Sequence, residues 1–454
     1  MSESGLDLTP YLRSFSQIQT TKHLVLERDL LSRGGDLLRE ILPGKRWLLV
    51  ADGTTWPLAG PMVATGLKRA GIEAAQYIVE GSCPIASDRA VADLLPHLHA
   101  ATAIVAIGSG TVNDIAKMAA HQAQLPYAVL ATAPSMNGYT SSIAALLVDG
   151  VKTTQPCSPP LACLADLDLL ARAPYRMIAA GWGDLLSKPV SNADWLLARK
   201  LNDSAYSTAA ADLVKASADL LDGVADKLPP RNIDAIGKLM ASLCLSGLAM
   251  SVAGSSAPAS GGEHLISHYL DMTHHALGVS KMGASRSDAA PSNDLHGCQV
   301  GVATLATAAF YEKLLALDPA TIDLATLVDQ HPPWDKYQAV VRQRFGPLTA
   351  AVLPHAQAGY PTSAELRTRL TRLQAEWDNL QSELRTTLRG VAAIKAELKA
   401  AQCPTTFREI GVTPERAQRA ISHSKDIRSR YTILHLAAEL RLADEWTEDL
   451  LHLI

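Results

Sequence analysis

The chain has 454 residues, more than one hydrophobic core comfortably serves, so two domains are expected. Hydrophobic residues at 48% and charged residues at 19% are ordinary for a globular protein. With 41 basic against 45 acidic residues, a net charge of −4 and only 5% aromatics, nothing marks a nucleic-acid surface.

The N-terminal stretch MSESGLDLTPYLRSFSQ has no apolar segment of the secretory kind, and no apolar run approaches the roughly 20 residues of a membrane span. RWLLVAD (46–52) predicts a buried strand ending in Asp52, and TTWPLAGPMVATGLKRAG a helix closed by Gly71. EAAQYIVEG is a second strand, and ASDRAVADLLPHLHA a helix capped by Ser87 or Asp88. TAIVAIG (102–108) is a third strand, TVNDIAKMAAHQAQ a helix and YAVLATAP a fourth strand. Asp149-Gly150 in LLVDGVKTT signals a hairpin, and LACLADLDLL is a last strand. This alternation predicts a parallel sheet with helices on both faces over 1–172.

Beyond about residue 175 strand signals fade, and 173–454 is expected to be all-helical, with amphipathic stretches at 192–226, 231–252, 263–276, 295–317, 363–400 and 414–442. Between Leu366 and Leu398 apolar residues recur in near three-four alternation, which fits a long helix packed in its own domain or a dimer contact. The six cysteines, Cys83, Cys157, Cys163, Cys244, Cys298 and Cys403, form no C-x-x-C pair. Neither a disulfide framework nor a cysteine zinc site is suggested, and a reducing cytoplasm is expected.

Gly108-Ser109-Gly110-Thr111 follows the third strand and opens a helix. Unpaired amides at a helix start carry partial positive charge, and glycines let a phosphate approach, which suits a dinucleotide pyrophosphate. The motif is not G-x-G-x-x-G, because Asn113 replaces the third glycine, and an ordinary strand-to-helix turn explains it equally well. Asp52 at an earlier strand end is placed to bond an adenosine ribose or to cap the next helix. The hydroxyl-rich ATAPSMNGYTSS (131–142) lies where a nicotinamide and a substrate would meet, or is a capping loop.

Asp184 in AAGWGDLLSK lies in a small-residue turn that reads as opening a helix, where an aspartate is commonly an N-cap. GGEHLISHYLDM puts His264 and His268 on one helix face, and His296 in DLHGCQVGVAT starts another apolar helix. The metalloprotease clamp needs its glutamate between the two histidines, but Glu263 precedes His264. One Asp and two His leave an open metal position for a substrate oxygen, so Asp184, His264 and His296 form a candidate set. Glu263 stands behind His264 or caps the helix.

GSGTVNDIAK, TAPSMNGYTSS, MIAAGWGDLLSK, GGEHLISHYLDM, LHGCQVGVAT and SHSKDIRSRYTILHLAAEL, in this order over about 46–440, resemble the iron-containing alcohol dehydrogenase superfamily. Within it the sequence is most similar to the sn-glycerol-1-phosphate dehydrogenases of bacterial type. The resemblance implies a Rossmann-like dinucleotide-binding domain (1–172), an all-helical metal- and substrate-binding domain (173–454) and an active site in the cleft between them. It implies exchange of hydride between NAD(H) or NADP(H) and a metal-polarised alcohol or carbonyl, interconverting dihydroxyacetone phosphate and sn-glycerol-1-phosphate. Gly108, Ser109, Gly110, Thr111 and Val112 would hold the pyrophosphate, Thr132, Ser135 and Ser141 the nicotinamide side, and Asp52 the adenosine side. Asp184, His264 and His296 would bind the metal, zinc with nickel or iron as alternatives, and His268 would face the substrate.

Asn137 departs from the family pattern, which has Asp there to contact substrate hydroxyls; an amide loses the charge. A dehydrogenase of another polyol or hydroxy compound, or a low-activity nucleotide-binding paralogue, stays open as an alternative. Cyclase chemistry like that of dehydroquinate synthases is disfavoured by Asp184, where those enzymes use Glu. Nothing but the resemblance marks a phosphate clamp; Lys188 and Arg286 are candidates for one, with solvated surface charge the competing reading for Arg286. The expected partners are a phosphorylated polyol or triose and further copies of the chain, as a homodimer or higher homo-oligomer, with no nucleic acid and no membrane span.

Overall fold

The computed structural model describes residues 8–15, 20–149, 151–276 and 294–451. Arg286, one of the two phosphate-clamp candidates, lies outside them. Contacts group the chain into two compact units, Met1–Leu185 with Ser207–Ser256, and Leu186–Tyr206 with Ala257–Ile454. The sequence set a single boundary after 172, whereas 173–185 and 207–256 join the first unit.

The first unit is built on six parallel strands. In chain order they are β1 (His23–Glu27), β2 (Arg46–Asp52), β3 (Glu73–Val79), β4 (Ala103–Gly108) and β5 (Tyr127–Ala131), then, after an antiparallel hairpin of β6 (Ile143–Val148) and β7 (Val151–Pro156), β8 (Ala162–Asp166). The spatial order is β1-β8-β5-β4-β2-β3. Strands β4, β5 and β8 are buried at every position, as continuous apolar runs between two helical layers require. Leu49, Val105, Ile107, Leu130 and Leu164 form the centre of one core face.

Two strand readings need correction. The edge strand β1, HLVLE, was not anticipated, because it is short and only partly buried. The predicted last strand ends early, at Asp166: its Oδ1 accepts the amides of Asp168 at 2.9 Å and Leu169 at 3.0 Å and so caps a helix over Leu167–Ala171. The hairpin is as expected, with Val148 opposite Val151 and Asp149 at φ +49°; Gly150 lies outside the described residues.

The helix Ile233–Ala253 is long and apolar enough to cross a bilayer, contrary to the expectation from the sequence that no run approaches this length. It is instead a core helix of the first unit, with 89% of its most apolar window buried. Ser217 and Ser242 exchange hydroxyl-to-carbonyl hydrogen bonds of 2.9 Å, tying it to the helix Thr208–Asp219.

The described residues of the second unit form helices joined by loops and turns, with no strand among them. Asp194, on the helix Lys188–Asn202, is buried at its centre. Its Oδ1 accepts from the Tyr311 hydroxyl and the Ile433 amide, both at 2.6 Å, and its Oδ2 accepts from the Gly262 amide at 2.7 Å. Gly262 and Ile433 each begin a helix, so one carboxylate joins four helices and faces two positive helix ends. Burial first, and Glu263 second, push its pKa up to about 7.

The predicted long helix over 363–400 is three helices, Ser363–Ala375, Trp377–Thr387 and Val391–Ala400. A capping box between Thr362 and Glu365 starts the first, and extended backbone at Leu388 and Gly390 separates the last two. Of the repeating apolar residues, Leu366, Leu370, Leu373, Trp377, Leu380, Leu384, Ile394 and Leu398 are buried, the pattern of helices packed in their own domain. The 414–442 stretch is likewise broken, into Pro414–His423, a short turn at Ser424–Ile427 and Ile433–Glu439.

Candidate functional site

Strands β2 and β4 lie side by side, and their connections leave in opposite directions, to β3 on one side and β5 on the other. Open α/β sheets bind ligands beyond the carboxyl ends of strands at such a switch point. Asp52 ends β2 and Gly108 ends β4, so the first unit brings these two predicted residues to the switch point. The helix Gly110–Gln122 begins there with its amides pointing out of the turn. Thr132, just past β5, is buried and donates its amide to the Gly108 carbonyl at 3.1 Å.

Asp52 Oδ1 accepts the amides of Thr54 at 2.9 Å and Thr55 at 2.7 Å, which is the helix-capping role. Among the described residues Oδ2 accepts nothing, so capping leaves one carboxylate oxygen for a further donor. Asn113, in place of the third glycine, is fully buried and accepts the Tyr127 hydroxyl at 2.7 Å. A side chain serves this helix where a nucleotide-binding fingerprint uses bare backbone.

The loop after β5 is held by groups not singled out in the sequence. Lys117, about two turns into the same helix, is fully buried, and its ammonium donates to the carbonyls of Ser141 and Ile143, both at 3.1 Å, and to Gly138. Asp114 Oδ2 accepts the Ala145 amide at 3.1 Å; desolvation pushes its carboxyl up from the ordinary range, against the pull of Lys117. Ser141 is buried with its hydroxyl 3.0 Å from the carbonyls of Gly138 and Ile143, so it shapes the loop. Ser135 bonds the Tyr139 hydroxyl, which donates to the Ala133 carbonyl at 2.6 Å. The signal for Lys117 was present, a lysine inside a quoted motif, but lysine is the residue type most often left in water.

Asp184 does not open a helix. It lies ten residues into Tyr175–Leu186, fully buried, and the N-cap reading falls. Its Oδ2 accepts the backbone amide of Asn137 at 2.9 Å, and the Asn137 amide side chain donates to Ser246 Oγ at 3.2 Å. Two helical glycines permit this approach. A Cβ at Gly181 would stand 1.9 Å from the Pro134 carbonyl oxygen, and one at Gly247 2.3 Å from Thr140 Oγ1. Gly181→Ala is expected to cost about 1–3 kcal/mol of stability, read by urea unfolding, because loop or helix must move; an unchanged midpoint would show that the loop yields freely.

In the second unit His264 and His268 lie one turn apart on Gly262–Ala276, and His296 is the first residue of His296–Ala316. The three rings cluster, with centroids 5.1 Å apart for His264 and His296, 5.7 Å for His268 and His296, and 6.3 Å for His264 and His268. Two imidazoles on one tetrahedral zinc stand about 5 Å apart, centroid to centroid, given metal–nitrogen bonds of about 2.1 Å. The His264–His296 pair fits that spacing; the protease-like His264–His268 pair is too wide. Among the described residues no group of three or more His, Cys, Asp or Glu side chains is placed to hold a metal ion.

Glu263 is buried; its Oε1 lies 2.8 Å from His264 Nδ1 and accepts the Gly261 amide at 2.8 Å. It therefore both backs His264 and caps the helix. Lys188 is buried, with its ammonium donating to Ser187 Oγ at 3.1 Å and to the Ala259 carbonyl at 3.0 Å, a structural role.

The family model described as iron-containing alcohol dehydrogenase matches residues 25–174. The chain is 30% identical to glycerol-1-phosphate dehydrogenase [NAD(P)+] of Bacillus licheniformis, over 92% of this chain and 90% of that one. It is 31% identical to the protein of the same name from Methanosarcina barkeri, over 66% and 79% of the two chains. Among solved structures, glycerol dehydrogenase from Schizosaccharomyces pombe has the same fold, with a TM-score of 0.61 at 15% identity over 95% and 91% of the two chains. With 30% identity over nearly the full length of both chains and a matching family model, the chain belongs to the glycerol-1-phosphate dehydrogenase family of the iron-containing alcohol dehydrogenases.

Proposed function

We propose that this protein interconverts dihydroxyacetone phosphate and sn-glycerol-1-phosphate, exchanging hydride with NAD(H) or NADP(H). The observation that carries this reading is the near full-length similarity to proteins named for that reaction. The switch-point geometry of the first unit supports a dinucleotide at Gly108, Ser109, Gly110, Thr111 and Val112, with its pyrophosphate on the helix start. Asp52 meets the adenosine ribose through Oδ2 while Oδ1 keeps capping. Thr132 and Ser135 border the nicotinamide, and Ser141 acts there through the loop it shapes.

In this reading 1–172 binds cofactor and 173–454 binds metal and substrate, with Asp184, His264 and His296 as ligands of one divalent metal. The donor set, one carboxylate and two imidazoles at the spacing of a tetrahedral pair, suits zinc, with nickel or iron as alternatives. When bound, the metal polarises the reacting carbon–oxygen group. The Asn137 amide orients Asp184, and Asn137 itself offers the substrate hydroxyls an amide rather than a carboxylate. His268 contacts the substrate and carries a proton to or from its hydroxyl. Six free thiols, five of them buried, fit a reducing cytoplasm, and we place the enzyme there. Further copies of the chain are its expected partners.

The test is oxidation of NADH and NADPH by dihydroxyacetone phosphate, with dihydroxyacetone and other triose and polyol substrates in parallel. Turnover confined to the phosphate ester supports the proposal. Turnover with an unphosphorylated polyol instead favours the second reading, a dehydrogenase of another polyol, which Asn137 motivates. His268→Ala is expected to keep stoichiometric metal while kcat/KM falls by roughly 10²-fold or more; loss of metal on this substitution would move His268 into the ligand set.

A further inference from the structure

The hydrogen bonds around His296 determine which of its nitrogens carries the proton. Gln299 Nε2 lies 3.1 Å from Asp271 Oδ1 and 3.0 Å from the Asp294 carbonyl, both acceptors, so that atom is the amide nitrogen. Gln299 Oε1 then faces Ser267 Oγ at 2.7 Å. Two oxygens at that distance need a proton between them, and only the serine has one to give. With its single proton directed at Gln299, Ser267 Oγ can only accept from His296 Nδ1, 3.0 Å away. His296 therefore bears its proton on Nδ1 and its lone pair on Nε2. His264 reaches the same state by a shorter route, because Glu263 Oε1, an acceptor, lies 2.8 Å from its Nδ1.

We infer that Ser267 and Gln299 are positioning residues that hold His296 in the tautomer able to ligate through Nε2, as Glu263 does for His264. The inference rests on the metal reading proposed above. Ser267 and Gln299 are both buried, and neither was singled out by sequence. They come from two helices, Gly262–Ala276 and His296–Ala316, so the pair also fixes the register in which the two histidines meet. Outer partners of ligating histidines typically govern roughly 10–100-fold in metal affinity.

The experiment is zinc affinity, by competition with a chromophoric chelator, for the wild type and for Ser267→Ala, Ser267→Thr, Gln299→Leu and His296→Ala. Ser267→Ala is expected to weaken zinc binding by roughly 10–100-fold, with recovery in Ser267→Thr, which keeps the hydroxyl. Gln299→Leu is the sharper case. It leaves Ser267 in place but removes the acceptor of its proton, so the hydroxyl turns to donate to Nδ1 and moves the lone pair off Nε2. Weaker zinc binding by a Gln299→Leu protein with an unchanged melting point is expected, and it decides the matter if Ser267→Ala fails to fold. Long-range ¹H–¹⁵N spectra of the zinc-loaded wild type should show Nε2 as the metallated nitrogen of both histidines. His296→Ala with stoichiometric zinc would overturn the metal reading itself. Loss of zinc in His296→Ala with wild-type affinity in the Ser267→Ala and Gln299→Leu proteins would leave that reading standing and overturn this inference.

Discussion

Alanine at His264 or at His296 is expected to leave the purified protein without metal and to lower kcat/KM for dihydroxyacetone phosphate by on the order of 10³-fold, about 4 kcal/mol of lost transition-state stabilisation. The two rings come from different helices yet stand 5.1 Å apart, the spacing of two imidazoles on one tetrahedral ion. Each has its Nδ1 engaged, by Glu263 in one case and Ser267 in the other, so Nε2 is the nitrogen that ligates in the proposed reading. Removing one donor leaves a set too small to hold zinc against water. Metal content by mass spectrometry after dialysis, beside NADH oxidation, checks the claim. Comparison with His268→Ala makes it specific, because that ring lies 6.3 Å from His264, wider than a ligand pair. If His268→Ala were metal-free while His264→Ala retained its metal, the roles would be reversed.

Lys117→Met is expected to cost about 3 kcal/mol or more of stability, because several buried carbonyls lose a charged donor at about 1–3 kcal/mol each. The ammonium is fully buried and holds the carbonyls of Gly138, Ser141 and Ile143, with Asp114 as its opposite charge. Methionine fills the stem but removes the ammonium's hydrogen bonds to those carbonyls and the positive charge that acts on Asp114. The same loop presents the Asn137 amide to Asp184, so surviving protein should also bind metal and substrate less tightly. Lys117→Arg should not restore the wild type, because a planar fork does not fit where a compact ammonium bonds several carbonyls. Urea unfolding of the three proteins reads the effect; a Lys117→Met midpoint within error of the wild type would show that the lysine is dispensable to the loop.

Much of the first unit was legible because its signals are local. A continuous apolar run of strand length, a glycine turn and a helical period specify β4, Gly108–Gly110 and the helix Gly110–Gln122 without reference to distant residues. Where signals were weak or repetitive, the reading drifted. The half-buried edge strand β1 went unnoticed, and the Leu366–Leu398 repeat suggested one helix where extended backbone at Leu388 and Gly390 makes breaks. Asp184 was read as a possible cap because small residues surround it. Those residues are small for another reason: Gly181 lets the Pro134 carbonyl approach the helix.

By itself the sequence determined the class of the fold, the order of the motifs and the shared face of His264 and His268, since strand period, helix period and turn chemistry are properties of neighbouring residues. The tertiary structure alone decided what depends on residues far apart in the chain. It returned the helix Ile233–Ala253 to the first unit, where its apolar surface is buried. It buried Lys117, which the sequence did not single out, and made it the anchor of the Asn137 loop. It also set His296 beside Ser267, and Ser267 beside Gln299. A hydrogen bond selects its partner by position in space, and no periodicity along the chain encodes that.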